Sequence, residues 1–202
     1  RGRMSEPRRA PVWNYFLWYR TPTHPRYPVF FTGALQEEMQ QILPICDGKF
    51  IEIQPTRVTT PEGREEFRLN TPGLIHLMVY WQNKLFWDPD MDRQKMLEEY
   101  YTLFFGPAAA EMKEFIEFAE EVWMRQESRS VTLTTGFLKE PDVDRLFEIL
   151  ARARARAGSD TVYARRIARM QDEMLPLQDL FPNLARTGPL VRAYPVDIAW
   201  TG

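Results

Sequence analysis

Metal and redox chemistry have little to work with in this chain, whose 202 residues include one cysteine and two histidines. A single cysteine cannot close an intrachain disulfide, and with two histidines it cannot complete the usual four-ligand zinc site. No metal and no cofactor are therefore expected. An excess of charge of one sign is equally lacking. The 26 Lys and Arg nearly cancel the 28 Asp and Glu, leaving a net charge of −2, so no global field draws the protein to nucleic acid or to an anionic membrane. No apolar run approaches the roughly 20 residues that cross a bilayer. Neither a nucleic-acid partner nor a membrane span is expected. Also missing are a Gly-rich phosphate loop, a Gly-x-Ser-x-Gly elbow and a His-Glu-x-x-His pair, which argues against nucleotide enzymes, serine hydrolases and zincins.

What is present is an ordinary globular balance, 44% hydrophobic and 27% charged, with a high aromatic share of 13% that includes six Trp. From Pro11 to Tyr19 the chain is almost continuously apolar, the pattern of a strand buried on both faces. A stiff loop with Pro22, Pro25 and Pro28 follows. Leu35, Met39, Ile42 and Leu43 then recur at helical spacing over residues 34–46, with Asp47-Gly48 as the stop. Lys49 to Gln54 reads as a second strand. Strand, loop, helix and strand in this order form a βαβ unit, whose strands run parallel. The polar segment after Pro55, with Pro61-Glu62-Gly63, is long enough to be a functional loop.

Helices dominate the remainder. Thr71-Pro72 supplies a cap and a first-turn proline for a buried helix running to Trp87. Further helices are expected over 92–105, 108–125, 143–157 and 161–175, with a break from Ser128 to Glu140 that is extended at Val131 to Thr135. The expected fold class is α/β followed by all-α: residues 1–70 as an α/β portion and 71–202 as a helical domain. A parallel pair needs cover on both faces and both edges. The chain is therefore expected to begin inside a parallel sheet or barrel, with further strands upstream of Arg1.

Candidate site residues follow from that geometry. Glu52 stands near the carboxyl-terminal end of the second strand, where parallel α/β folds place functional side chains. Its alternative is a structural salt bridge. Trp18 and Tyr19 occupy the same end of the first strand and could form a platform for a ring-shaped ligand. Tyr27, Phe30 and Phe31 on the Pro-rich loop read more readily as packing anchors. Asp88, Asp90, Asp92 and Glu99 mimic a calcium loop, but Arg93 stands where that loop needs glycine, so they read as an interhelix turn. The arginines at 152, 154, 156, 165, 166 and 169 read as a solvated surface, and so do the Glu-Glu pairs, including Glu98-Glu99 and Glu120-Glu121. Cys46 reads as a structural thiol, and His24 and His76 have no evident partner.

Several of these segments carry a resemblance. The runs Leu85-Phe-Trp-Asp-Pro-Asp-Met-Asp92, Met96-Leu-Glu-Glu-Tyr-Tyr101 and Phe105-Gly-Pro-Ala-Ala-Ala110, together with Met112, resemble the helical region of a group of bacterial glycoside hydrolases, the domain of unknown function 4838 group, which includes glycoside hydrolase family 163. Val12-Trp-Asn-Tyr15 resembles the group's Val-Trp-Asp-Tyr barrel strand, and Phe50-Ile-Glu52 its later glutamate-bearing strand. The resemblance spans about residues 11 to 125 and implies the last βα units of a (β/α)8 barrel followed by a helical domain. It implies hydrolysis of an oligosaccharide or glycan, with an endo-acting β-N-acetylglucosaminidase as the suggested activity, in a periplasmic, cell-surface or secreted protein. The missing N-terminal part of the barrel would then be a partner, and the 202 residues alone would be inactive. Asn14 stands where the group often has Asp, and would bind substrate with Trp18 and Tyr19, leaving Glu52 as the catalytic candidate. Glycosidases need two carboxyl groups, or one with a substrate acetamido group, so the principal acid/base would lie upstream. A non-enzymatic helical interaction module is the alternative; it would expose the Tyr163, Ile167, Met170 and Met174 face.

Overall fold

The computed structural model describes residues 10–14, 27–52, 56–69, 71–125 and 138–180. Strand β1 (Ala10–Asn14) is followed by helix α1 (Thr32–Ile42), a 3-10 turn (Leu43–Ile45) and strand β2 (Cys46–Ile51). Strands β3 (Thr56–Thr59) and β4 (Glu65–Arg68) form an antiparallel hairpin. Helices α2 (Pro72–Trp87), α3 (Arg93–Phe105), α4 (Ala109–Met124), α5 (Glu140–Ala157) and α6 (Val162–Met174) complete the order.

The expected α/β portion with the last units of a (β/α)8 barrel does not form. Among the described residues the chain is mostly helical, without repeating βα units. β1 and β2 do pair in parallel, but they make a two-stranded ladder that no third described strand joins. The physical reason lies after β2. The polar segment expected to be a functional loop doubles back as the β3–β4 hairpin, with its Thr60 to Arg64 turn closed by Thr60 N–H donating to Arg64 O (2.8 Å). Among the described residues every element beyond it is helical, and the apolar faces of these helices pack on one another instead of covering a sheet. Nor is β1 buried on both faces, since Trp13 is 51% exposed. Helix α1 stops before the expected Asp47-Gly48, which lies within β2, because Pro44 sits in the 3-10 turn. A proline ring removes a helix donor and crowds the preceding turn.

One core joins all the helices. Tyr27, Phe30, Leu35, Met39, Trp81, Phe105, Phe115, Leu146, Ile167 and Met174 belong to a single buried cluster. The loop aromatics are thus anchors: Tyr27 donates its hydroxyl to Ala119 O at 2.9 Å, and Phe30 meets Phe115 edge-on.

Two helices are capped by a carboxylate from a distant helix in place of a local side chain. Thr71 precedes α2, yet its Oγ1 is buried and without a hydrogen-bond partner. Glu173 of α6 supplies the cap instead, accepting from Gly73 N (3.1 Å) and Leu74 N (3.0 Å). The same device serves α1. Glu120 of α4 accepts from the Thr32 hydroxyl (3.1 and 3.2 Å) and from Gly33 N (3.4 Å). Each carboxylate neutralises free N–H groups and meets the positive end of a helix dipole. Glu120, expected on a solvated face, is therefore a structural group. Trp81 Nε1 donates to Thr32 O at 2.8 Å, tying the start of α1 to α2 as well.

Candidate functional site

The parallel ladder sets the candidate site. Its register pairs Val12 with Lys49, Trp13 with Phe50 and Asn14 with Ile51, after an irregularity between Ala10 and Val12. Glu52 is the next residue after Ile51. Two sequence-derived candidates, Asn14 and Glu52, thus lie at the carboxyl-terminal ends of adjacent parallel strands, but Asn14 pairs with Ile51, so alternation assigns it and Glu52 to opposite faces of the ladder. Trp18 and Tyr19 lie outside the described residues, as does His24.

The register also builds something not expected from either strand alone. Trp13 and Phe50 stack with ring centroids 5.4 Å apart and planes at 26°, and each ring is half exposed. Successive strand residues alternate faces, so alternation carried one step beyond β2 assigns half-buried Glu52 to the face of Phe50. An aromatic pair beside a carboxylate offers apolar area for the flat face of a sugar and an acceptor for its hydroxyls. Aligning Val12-Trp-Asn with Lys49-Phe-Ile in parallel register is the signal that would have found it.

Other candidates resolve into structure. Asp88 Oδ1 accepts from Asp90 N (3.0 Å), Asp90 Oδ1 from Gln40 Nε2 (3.0 Å) and Asp92 Oδ1 from Lys95 N (3.0 Å). These are the bonds of an interhelix turn that caps α3. Gln36 of α1 closes over the same turn, donating to Pro89 O (3.0 Å) and Met91 O (2.8 Å). Among the described residues no group of three or more His, Cys, Asp or Glu side chains is placed to hold a metal.

Cys46 opens β2 as a half-buried free thiol. His76 has a partner after all: its Nδ1 shares a 3.0 Å hydrogen bond with the Tyr100 hydroxyl, and its ring stacks on Phe104 at 4.2 Å. Burial, with the Arg166 guanidinium nearby, lowers its pKa and favours the neutral ring. Arg166 lies over the Phe104 ring and donates to Phe104 O at 2.7 Å. Arg152 pairs with Glu114 and Arg165 with Asp160, as on a solvated surface, whereas Arg166, packed on Phe104, and Arg169, which grips the buried Glu173, are structural and not part of a solvated face.

Among the described residues no helix is long and apolar enough to cross a membrane. Compared with protein-family models, with curated proteins and with solved structures, the chain matches none.

Proposed function

We propose that the chain contributes one side of a sugar-binding cleft to a glycoside hydrolase of the group its sequence resembles, with the helical bundle as its support. The observation that carries this reading is the parallel register, which stacks Trp13 on Phe50 and, by alternation, assigns Glu52 to the same face at the carboxyl-terminal end of the ladder. The bundle fits a supporting role. The residues that resemble the glycosidase group make a rigid helix-turn-helix pair gripping α1, through Gln36 and through Arg93 Nη1, which donates to Thr32 Oγ1 at 3.1 Å. In this reading Glu52 hydrogen-bonds the sugar or stabilises the charge that develops at the scissile bond, with the Trp13–Phe50 stack against the sugar's apolar face.

The interaction-module reading needs the Tyr163, Ile167, Met170 and Met174 face of α6 open to a partner. Ile167, Met170 and Met174 are buried, and Tyr163 lies against Gly106. That face is spent within the bundle, which favours the supporting role.

The reading is tested by turnover. For the full-length polypeptide acting on an N-acetyl-β-glucosaminide, Glu52→Gln is expected to lower kcat by at least about thirtyfold, the loss of roughly 2 kcal/mol of charge stabilisation in the transition state. Unchanged turnover would remove Glu52 from the mechanism, and absence of wild-type turnover on any glycan would sink the reading.

A further inference from the structure

One imidazole joins three helices. His76 of α2 shares a 3.0 Å hydrogen bond through Nδ1 with the Tyr100 hydroxyl of α3. Its ring stacks on Phe104, also of α3, at 4.2 Å, and Arg166 of α6 lies over the same Phe104 ring at 4.2 Å and donates to Phe104 O. The two bonded partners differ in exposure. Tyr100 is only 4% exposed, whereas His76 reaches solvent, so protons have access to the ring.

The hydroxyl fixes the tautomer. Tyr100 is buried, and His76 Nδ1 is the one hydrogen-bond partner of its hydroxyl among the described residues. A buried donor left without an acceptor costs stability, so the Tyr100 O–H donates and Nδ1 accepts, which leaves the proton of the neutral ring on Nε2. Protonating Nδ1 turns that acceptor into a donor facing a donor. It also adds a positive charge near Arg166, and among the described residues the one charge that acts on His76 is that guanidinium.

We propose that His76 is an acid-sensitive clasp: neutral, it holds α2 to α3 by accepting from Tyr100, and protonated, it releases that bond. The groups around it set the direction. From α3 the ring faces Tyr100 and Phe104, and from α6 Arg166; on α2 itself, Tyr80 one turn on meets Tyr100 and carries Lys84 over its ring. Burial of the bonded side and the Arg166 charge both hold the His76 pKa below its ordinary value. The clasp therefore contributes in full above the ordinary histidine pKa of about 6.5, and is lost as the pH falls from there through the lowered value of the folded state. Glu173, which accepts from Gly73 N one turn before His76, works in the opposite sense, since its raised pKa adds stability as the pH falls.

The test is a pH titration of the histidine ring signals by NMR, with urea unfolding of the same proteins at about pH 7.5 and about pH 5, either side of the ordinary histidine pKa. The chain has two histidines, and His76→Asn, whose amide oxygen can accept from Tyr100 at either pH, assigns their signals. In wild type the neutral His76 ring is expected as the Nε2–H tautomer and should titrate below about 6.5. Tyr100→Phe should raise that value toward the ordinary one and even out the two tautomers, which a ring held by packing alone would not show. Wild type should lose stability relative to His76→Asn as the pH falls, a difference in which the Glu173 contribution common to both cancels. An Nδ1–H tautomer, a ring that titrates at or above about 6.5, or an unchanged titration in Tyr100→Phe would overturn the proposal. So would a His76→Asn protein that keeps the wild-type dependence of stability on pH.

Discussion

Glu173→Ala is expected to destabilise the protein by about 3 kcal/mol, more than the loss of an ordinary helix cap, which costs about 1 kcal/mol. Three groups lose their partner at once. Gly73 N and Leu74 N at the start of α2 are left without acceptors, and Arg169, one turn back on α6 and 30% exposed, loses the carboxylate it grips. The site is nearly closed to water, with Glu173 only 4% exposed, so solvent replaces these bonds poorly. Burial pushes the Glu173 carboxyl above its usual range, against the pull of Arg169 and the two backbone N–H groups. The Gln variant, whose amide oxygen still accepts and whose burial carries no charge, should therefore cost distinctly less than Ala. Urea unfolding of the two variants and wild type checks this: Ala and Gln losing equally, or Ala losing under about 1 kcal/mol, would show that the bonds from α6 do not hold the start of α2.

Gly106→Ala should be comparably severe. Gly106 lies between α3 and α4 at φ +54° and ψ −120°, a conformation that essentially only glycine adopts and that costs another residue about 1–3 kcal/mol. A Cβ there would also stand 2.7 Å from two ring atoms of Tyr163 on α6, an overlap that must be relieved by moving the ring or the helix. Together the two terms come to about 3 kcal/mol, or a melting temperature lower by about 6–12 °C for a chain of this size. The terms can be separated. Tyr163→Ala removes the ring and its own packing, so the double variant should cost less than the sum of the singles by the clash alone. Strict additivity would mean that the ring does not press on Gly106, leaving the backbone angle as the whole effect. The Gly-Pro of the Phe105-Gly-Pro-Ala run is thus a steric requirement of α6 docking on the α3–α4 turn.

The helices were the most legible part of the chain, because their apolar stripes repeat with the 3.6-residue period that burial on one face demands. Met112, Phe115, Ile116, Ala119 and Val122 form such a stripe on α4, and all are buried. Local caps were legible for the same reason of sequence proximity: Asp92 caps α3 from the adjoining position. Remote caps were not. A glutamate in Glu120-Glu121, or in Asp172-Glu173, looks alike whether it faces water or the start of another helix, since only the packing of α4 on α1 and of α6 on α2 decides. The hairpin was missed because β3 and β4 are short and largely polar, with Arg57 and Glu65 ion-paired across it at 2.8 Å, so no hydrophobic alternation marks it. The expected barrel failed at that same point: a resemblance and one parallel pair do not specify the path of the chain beyond β2. Of the candidate site, Glu52 could be placed at a strand end by position alone, whereas the Trp13–Phe50 stack exists only through pairing of residues far apart in sequence.

In the proposed function the carboxyl-terminal ends of β1 and β2 form part of a sugar-binding surface. Hydrogen exchange of the full-length polypeptide, read by mass spectrometry with and without a β-linked N-acetylglucosamine oligosaccharide, tests it directly. Slower exchange is expected in peptides covering 10–14 and 46–52, with residues 162–174 of α6 unchanged. Binding that leaves 10–14 and 46–52 unprotected, or no binding of the oligosaccharide, would contradict it.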